Sequence, residues 1–512
     1  MNIAFLHYHL NRGGVTRVIA NQLLALDSLL TTGESRRAAV LFGGRDAGWP
    51  REITDRLDSV ELSLHAVEAL DYDTQPIADP AALAHELRTV FSQLGFQPEE
   101  TVLHVHNHSL GKNTSLPGAL QLLAKDGFGL LLQIHDFAED FRPRNYRLLC
   151  DTIGRDRIPV ALYPQAARIH YAVLNRRDQA VLEAAGVTPE RLHFLPNSVP
   201  TSGQLPDRDD ARRKLRATFG VATTDRYVLY PVRGIRRKNV GEALLWSLLA
   251  DEATTTAITL APLNPAEQTA YLRWRDVANE LNAPFLFATG DTGGLTFEEN
   301  LAAAELMLTT SVAEGFGMVF LESWLAGRSL AGRDLPEITV DFTDAGVELP
   351  NLYERLDVPL DWIGREWFAE TLQSELTGVL KSFGLPPIDP SAWDGIVSRK
   401  IRSGCIDFGD LNESMQEQII RRVAADAAAR TELLERNRAI DAAIGGDAAV
   451  IERNRQLIER EYSLEPSGRR LHEVYQAVLS EPKAGDVSAP ADAEQILSSF
   501  LDPTRYRLIR DD

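Results

Sequence analysis

Two glutamates and a run of cations carry the most readable chemistry in this sequence. In SVAEGFGMVFLESWLAG (311–327), Glu314 and Glu322 stand on either side of seven residues that begin with Gly315, Phe316 and Gly317. An ionised carboxylate accepts several hydrogen bonds, so each glutamate can hold a vicinal diol. Glycines let the backbone approach a ligand closely. Two such carboxylates flanking a glycine loop suit a ligand with two sugars joined by phosphates. Ordinary helix-start chemistry is the plainer alternative, because the helix dipole favours carboxylates there. Upstream, PVRGIRRKNVGEAL (231–244) places Arg233, Arg236, Arg237 and Lys238 within six residues. A diphosphate needs paired cations of this kind. A solvated basic turn would carry the same residues.

The N-terminal stretch NRGGVTRV (11–18) puts Gly13 and Gly14 directly after a short apolar run. Backbone without Cβ atoms, followed by a helix N-terminus, offers amide donors to an anion. A plain turn also uses glycine. The dinucleotide fingerprint needs a third glycine that this stretch lacks. In LHVHNHS (103–109), His104, His106 and His108 alternate, as on one face of a strand. Three imidazoles on one face could bind zinc. Neither a carboxylate nor a cysteine accompanies them, so no metal is expected, and His106 and Asn107 are read instead as lining a site at a strand end. The stretch HDFAEDFRPRNYR (135–147) reads as a charged loop. Its Asp136, Arg142, Arg144 and Tyr146, with Lys112 and Asn113, are candidates for an acceptor site. Arginines there suit a carboxylate or phosphate.

Side chains so far apart in sequence need a scaffold that gathers them. Short apolar runs alternate with amphipathic stretches throughout the first half, and this rhythm predicts parallel sheets covered by helices. Strands are expected at 2–10, 38–44, 60–67, 101–108, 129–137, 168–175 and 191–199. The polar stretch PNSVPTSGQLPDRDD (196–210) is the expected hinge. The alternation restarts with strands at 226–235, 256–263, 284–290 and 306–311. Residues 340–400 break the rhythm and read as an insertion, CIDFGDL (405–411) as a last strand, and the rest as helical. The expected domains are 1–200, 201–411 and a helical segment 412–512 that returns to the first domain. In doubly wound α/β domains, ligands bind at the carboxyl ends of the strands, so two such domains facing a cleft would bring the motifs together.

The chain has 512 residues and a formal net charge of −20. That charge argues against a nucleic-acid partner and against strong association with anionic membranes. The start MNIAFLHYHL lacks the basic and long apolar regions of a signal peptide, and a cytoplasmic location is expected. Cys150 and Cys405, far apart, read as reduced thiols.

Taken in order, these stretches resemble the retaining glycosyltransferases of family 4, which have the GT-B fold. GGVTRV (13–18) resembles the family's N-terminal glycine loop, and LLLQIHDF (130–137) its strand-end histidine, His135. FLPNSV (194–199) resembles the approach to the linker. Arg233 and Lys238 resemble the basic pair, and EGFGMVFLE (314–322) the E-x7-E motif. GRDLPEI (332–338) resembles the following loop, and YSLEPSGRRLHEVY (462–475) the terminal helical segment. Asn239 stands where the family usually has glycine. The resemblance implies transfer of a hexose from a UDP-, GDP- or ADP-linked nucleotide sugar to a hydroxyl acceptor, without cofactor or metal. It implies that Arg233 and Lys238 hold the diphosphate and that Glu322 holds the ribose. Glu314 and His135 would hold the transferred sugar, and Gly13 and Gly14 would approach the diphosphate or acceptor. A sugar-nucleotide epimerase, a phosphorylase of similar architecture and a non-catalytic nucleotide-sugar-binding protein remain the alternatives. The acidic chain favours a small soluble acceptor, such as a sugar acid.

Overall fold

The computed structural model describes residues 1–30, 35–200, 205–251, 253–442 and 446–510. The expected hinge lies partly outside these, at 201–204. Two compact units emerge. Unit 1 comprises Met1–Thr201 and Arg460–Leu501; unit 2 comprises Ser202–Glu459 and Asp502–Asp512.

Unit 1 is built on seven strands: β1 (Asn2–His7), β2 (Arg36–Phe42), β3 (Val60–Ala66), β4 (Thr101–His106), β5 (Gly129–Ile134), β6 (Ile169–Val173) and β7 (Leu192–Phe194). Their order is β3-β2-β1-β4-β5-β6-β7, and every neighbouring pair is parallel. β1, β4 and β5 are buried along their whole length, as a sheet covered on both faces requires. Ile19, Leu23 and Leu26 of the helix α1 (Gly14–Asp27) join a core with Ile3, Phe5 and Val40. Leu471, Val474, Tyr475 and Val478, from the helix Leu464–Ser480, complete the same core.

Unit 2 repeats the plan with β8 (Arg226–Arg233), β9 (Thr254–Leu260), β10 (Phe285–Leu286), β11 (Leu306–Thr309), β12 (Ser329–Arg333) and β13 (Leu352–Tyr353). The order is β10-β9-β8-β11-β12-β13, again parallel throughout. In each unit the strand order reverses beside the first strand, between β1 and β4 and between β8 and β11. Those are the two places where a doubly wound sheet leaves a crevice for ligand.

Several expectations are corrected. The strand expected over 101–108 stops at His106, because Asn107 turns into the left-handed region with φ 59°. The last five residues of the expected loop 135–147 are helical, since Pro143 starts the helix Pro143–Ile153. The insertion at 340–400 supplies β13 to the main sheet and β14 (Asp357–Pro359) to a separate antiparallel sheet. The expected last strand at 405–411 belongs to that small sheet, as β16 (Cys405–Asp407) paired with β14 and with β15 (Ile401–Arg402). The helical segment expected to return whole to the first domain is split. Residues 412–459 stay with unit 2, only Arg460–Leu501 joins unit 1, and Asp502 onward is again part of unit 2. The division follows burial: Met415, Ile419 and Ile420 are fully buried within unit 2. Among the described residues no helix is long and apolar enough to cross a membrane.

Candidate active site

In unit 2, the end of β8 is followed by a single 3-10 turn, Arg236–Lys238, and then by Asn239 with φ 51°. Asparagine tolerates this left-handed conformation better than most residues. Its side chain also ties the turn down, donating to Glu242 Oε2 at 2.7 Å and accepting from Gln416 Nε2 at 2.9 Å. The departure from glycine therefore brings its own anchoring.

The turn presents its cations to the loop after β11. Lys238 Nζ pairs with Glu314 Oε1, and Arg237 Nη1 lies 3.2 Å from Glu314 Oε2. Ser311 Oγ donates to Glu314 Oε1 at 2.6 Å and shares a 2.6 Å hydrogen bond with Tyr230. Burial pushes the Glu314 carboxyl upward, but Lys238 and Arg237 outweigh it and hold the pKa below its ordinary value. Glu314 is thus ionised and gathers two cations at the β8/β11 switch point. Arg233 is close by in the chain and donates to Ala261 O. Arg236, the fourth cation of the run, has a different job: it bonds Glu413 at 2.6 Å and reaches Leu508 O at 3.3 Å.

Gly317 has φ 81°, and a Cβ there would stand 2.5 Å from the Phe320 ring, so this turn demands glycine. Phe316 is buried, edge-on to Phe342 with ring centroids 5.3 Å apart, and anchors the Gly315–Gly317 turn into the core. Glu322 lies in the first turn of the helix Val319–Leu325 and is half-buried.

A buried network behind the turn was invisible in the sequence. Arg333, fully buried at the end of β12, pairs with Glu242 and with Asp407, the latter at 2.8 Å. Tyr353 donates to Glu242 at 3.0 Å, and Arg507 reaches Asp407 at 3.1 Å. Burial raises the Asp407 carboxyl, but Arg333 and Arg507 draw it well below its usual range. The partners of Arg333 are 91 and 74 residues away, so no spacing rule could have linked them.

In unit 1, Gly13 and Gly14 are exposed at the start of α1. Gly13 has extended backbone that any residue adopts, and a Cβ on Gly14 would meet nothing within 4 Å. The fold itself does not require glycine at either position. Gly48 is the opposite case: its Cβ would fall 1.8 Å from Arg12 N, so the loop after β2 packs directly on the glycine loop.

His135, just past β5, is 8% exposed, and its Nε2 lies 2.8 Å from His106 Nδ1. One proton sits between the two rings. His104 is engaged separately, with Tyr475 and Gln133, each at 2.8 Å. His108 bonds Leu162 O at 2.7 Å, so the three alternating histidines do not converge. Burial pushes His135 down to about 4, with Asp136 opposing, and both its ring and that of His106 are neutral near pH 7.

Three candidate acceptor residues prove to be braces or core. Asn107 Oδ1 accepts from the backbone of His135 and Asp136, at 2.7 and 3.1 Å, and fixes that loop. Asn113 donates to Ala69 O and Asp71 O and accepts from Ser115 N and Leu116 N, which uses its whole amide. Tyr146 is buried, 6% exposed, and burial raises the pKa of its hydroxyl. Arg142 pairs with Asp136 at 2.7 Å, Lys112 is half-buried, and Arg144 is exposed.

The architecture is that of the GT-B glycosyltransferases: two parallel doubly wound α/β units with a helical segment returning to the first. No family model matches the sequence. A relative from Petrotoga mobilis, mannosylglucosyl-3-phosphoglycerate synthase, is 28% identical over 374 residues, covering 70% of this chain and 69% of the relative. The fold also resembles Anabaena HepE, solved in complex with UDP-glucose, with a TM-score of 0.53 at 14% identity, covering 93% of this chain and 100% of that one. Sucrose-phosphate synthase from Thermosynechococcus elongatus gives a TM-score of 0.53 at 15% identity, covering 94% and 99%.

Proposed function

We propose that the protein is a retaining glycosyltransferase that moves a hexose from a nucleotide sugar to a hydroxyl of a small acidic acceptor. The observation that carries this reading is the ionised Glu314 holding Lys238 and Arg237 at the β8/β11 switch point, with Glu322 eight residues further on. The donor diphosphate takes over the charge of Lys238, Arg237 and Arg233, which frees the Glu314 carboxylate for sugar hydroxyls. Glu322 holds the ribose, as the resemblance to family 4 implies. His135, neutral and held by His106, is the residue to which the resemblance gives a hydrogen bond with the transferred sugar.

The bond from the anomeric carbon to the diphosphate oxygen breaks while the acceptor oxygen bonds to that carbon on the same face. The acceptor proton passes to the departing phosphate oxygen, so no protein nucleophile is required. The three cations stabilise the charge that develops on the leaving group. They fill the role a metal would otherwise take, and turnover is expected to persist in chelator. The acidic acceptor is supported by the Petrotoga relative, whose name specifies a product that carries a phosphoglycerate.

The test is incubation of the full chain with UDP-, GDP- and ADP-sugars and with acidic and neutral acceptors, following nucleoside diphosphate release and product configuration. Acceptor-dependent release with retained configuration is expected. A donor converted without acceptor would instead indicate an epimerase, and donor bound without product a binding protein.

A further inference from the structure

Five loops of unit 1 each send one side chain to the same place, and most of these play no part in the donor chemistry. Tyr72, in the loop after β3, is 36% exposed. The Arg45 guanidinium, from the loop after β2, lies 5.0 Å from its ring centroid, and the Lys112 ammonium, from the loop after β4, lies 5.5 Å from it. His9, after β1, meets the Tyr72 hydroxyl at 3.1 Å. Arg142, beyond β5, is near enough to act electrostatically on that hydroxyl, as are Asp71 and Asp136.

Two of the cations are fixed by carboxylates. Asp71 takes one edge of Arg45, with Nε at 2.6 Å, and leaves the side chain 43% exposed. Asp136 takes Arg142 at 2.7 Å. Asp73 follows Tyr72 in the same loop, its backbone N–H on Lys112 O at 2.8 Å, so three cations and three carboxylates share this edge in a chain of net charge −20. Exposed ion pairs between neighbours need no such convergence. Cations brought from three separate loops to one aromatic face can turn from these carboxylates to an anionic ligand. The place is the carboxyl edge of the sheet, beside the β1/β4 switch point, where ligands bind in this architecture.

We infer that Arg45, Lys112 and Arg142, arranged around Tyr72, form the subsite for the anionic group of the acceptor, a phosphate or carboxylate on a small sugar acid. This rests on the transferase reading for the word acceptor, but the anion site itself is testable without turnover. The guanidinium of Arg45 supplies donors in a planar fork, Lys112 a mobile point charge, and the Tyr72 ring a flat wall for the carbon skeleton.

The experiment is calorimetric titration of the full chain with 3-phosphoglycerate, glycerate, inorganic phosphate and glycerol. Arg45→Gln, Lys112→Gln and the double variant are compared with the unaltered protein, and a nucleoside diphosphate is titrated in parallel. The anionic probes are expected to bind and glycerol not to bind. The double variant should weaken anion binding at least tenfold and leave nucleoside diphosphate binding unchanged. Phosphate alone or glycerate alone competing with 3-phosphoglycerate identifies which anion the subsite takes. Lys112→Gln and the charge-preserving Arg45→Lys guard against loss of the Arg45–Asp71 pair harming the fold. Anions that bind no better than glycerol, or equally well to the double variant, overturn the inference. Failure of the nucleoside diphosphate to bind, with anion binding intact, would instead count against the transferase reading.

Discussion

Lys238 and Glu314 are each other's partners in this structure, and that pairing sets the expectations at the level of single residues. Lys238→Ala should lower turnover by about 10²–10³-fold, the scale of losing one group that stabilises leaving-group charge. Glu322→Ala should raise the donor KM with a smaller effect on kcat. Steady-state kinetics in both variants checks this, and near-normal values would remove these residues from the site. The glycines divide as sharply. Gly13→Ala and Gly14→Ala should leave stability within about 1 kcal/mol, because their surroundings are open. They should still impair substrate binding if a ligand passes there. Gly48→Ala should lower Tm markedly, since its Cβ would strike the backbone of Arg12. At this scale the sequence was informative where chemistry depends on residue type and short spacing. Glu314, Lys238 and the Gly315–Gly317 turn were singled out that way, and the structure pairs the first two. It did not show that Asn107 and Asn113 brace the backbone or that Tyr146 is buried, because a loop residue consumed by bracing looks the same in sequence as one offered to a ligand. Arg45 and Tyr72 carried no local pattern at all.

The strands of unit 1 bring a set of buried imidazoles into one layer, and this gives the element scale its own pH dependence. Burial lowers His7 and His104 to about 3, His108 and His135 to about 4, and His106 well below its ordinary value. In the unfolded chain each takes a proton near its ordinary value of about 6.5. Between about pH 6.5 and 4 the unfolded state therefore binds more protons, and stability falls as pH falls. Each histidine contributes about 1.4 kcal/mol per pH unit across that window. Glu139 acts in the opposite direction. Burial raises it to about 7, so the fold takes up its proton before the unfolded chain does. One carboxyl does not offset five imidazoles. Denaturant unfolding between pH 7 and 4.5 should show a steep loss on acidification, and His104→Gln should flatten the slope by about one proton. Flat stability over this range would contradict the buried neutral assignment. The strands themselves were legible in sequence, because fully buried parallel strands read as unbroken apolar runs. Their ends were not. The left-handed Asn107 that ends β4 depends on its bonds to the loop after β5, which no local pattern records.

For the whole molecule, the alternation of elements announced two doubly wound units, but not the way the chain shares itself between them. The last described residues fasten unit 2 from outside its main run. Arg505 pairs with Glu337 at 3.1 Å, Lys400 donates to Tyr506 O at 2.8 Å, and Arg236 of the basic turn reaches Leu508 O. Tyr506 and Ile509 are buried there. Ending the chain at Leu501 should lower the Tm of unit 2 and weaken nucleoside diphosphate binding, because Arg236 and Asp407 each lose a partner. Calorimetry and titration of the shortened protein test both, and unchanged values would make the tail a passive appendage.

The helix Leu464–Ser480 closes the core of unit 1 although some 260 residues of unit 2 precede it in the chain. During synthesis the first unit to leave the ribosome is therefore not the first that can be completed. Its sheet and α1 must wait with Ile19, Leu23 and Leu26 uncovered until Leu471, Val474 and Tyr475 emerge. Unit 2, apart from its tail, can form in the meantime. Nascent chains arrested once Glu459 has emerged, with Leu471–Val478 still inside the ribosome, should accordingly protect unit 2 from protease and leave unit 1 open to chaperones, a reversal of the usual N-to-C order of domain folding.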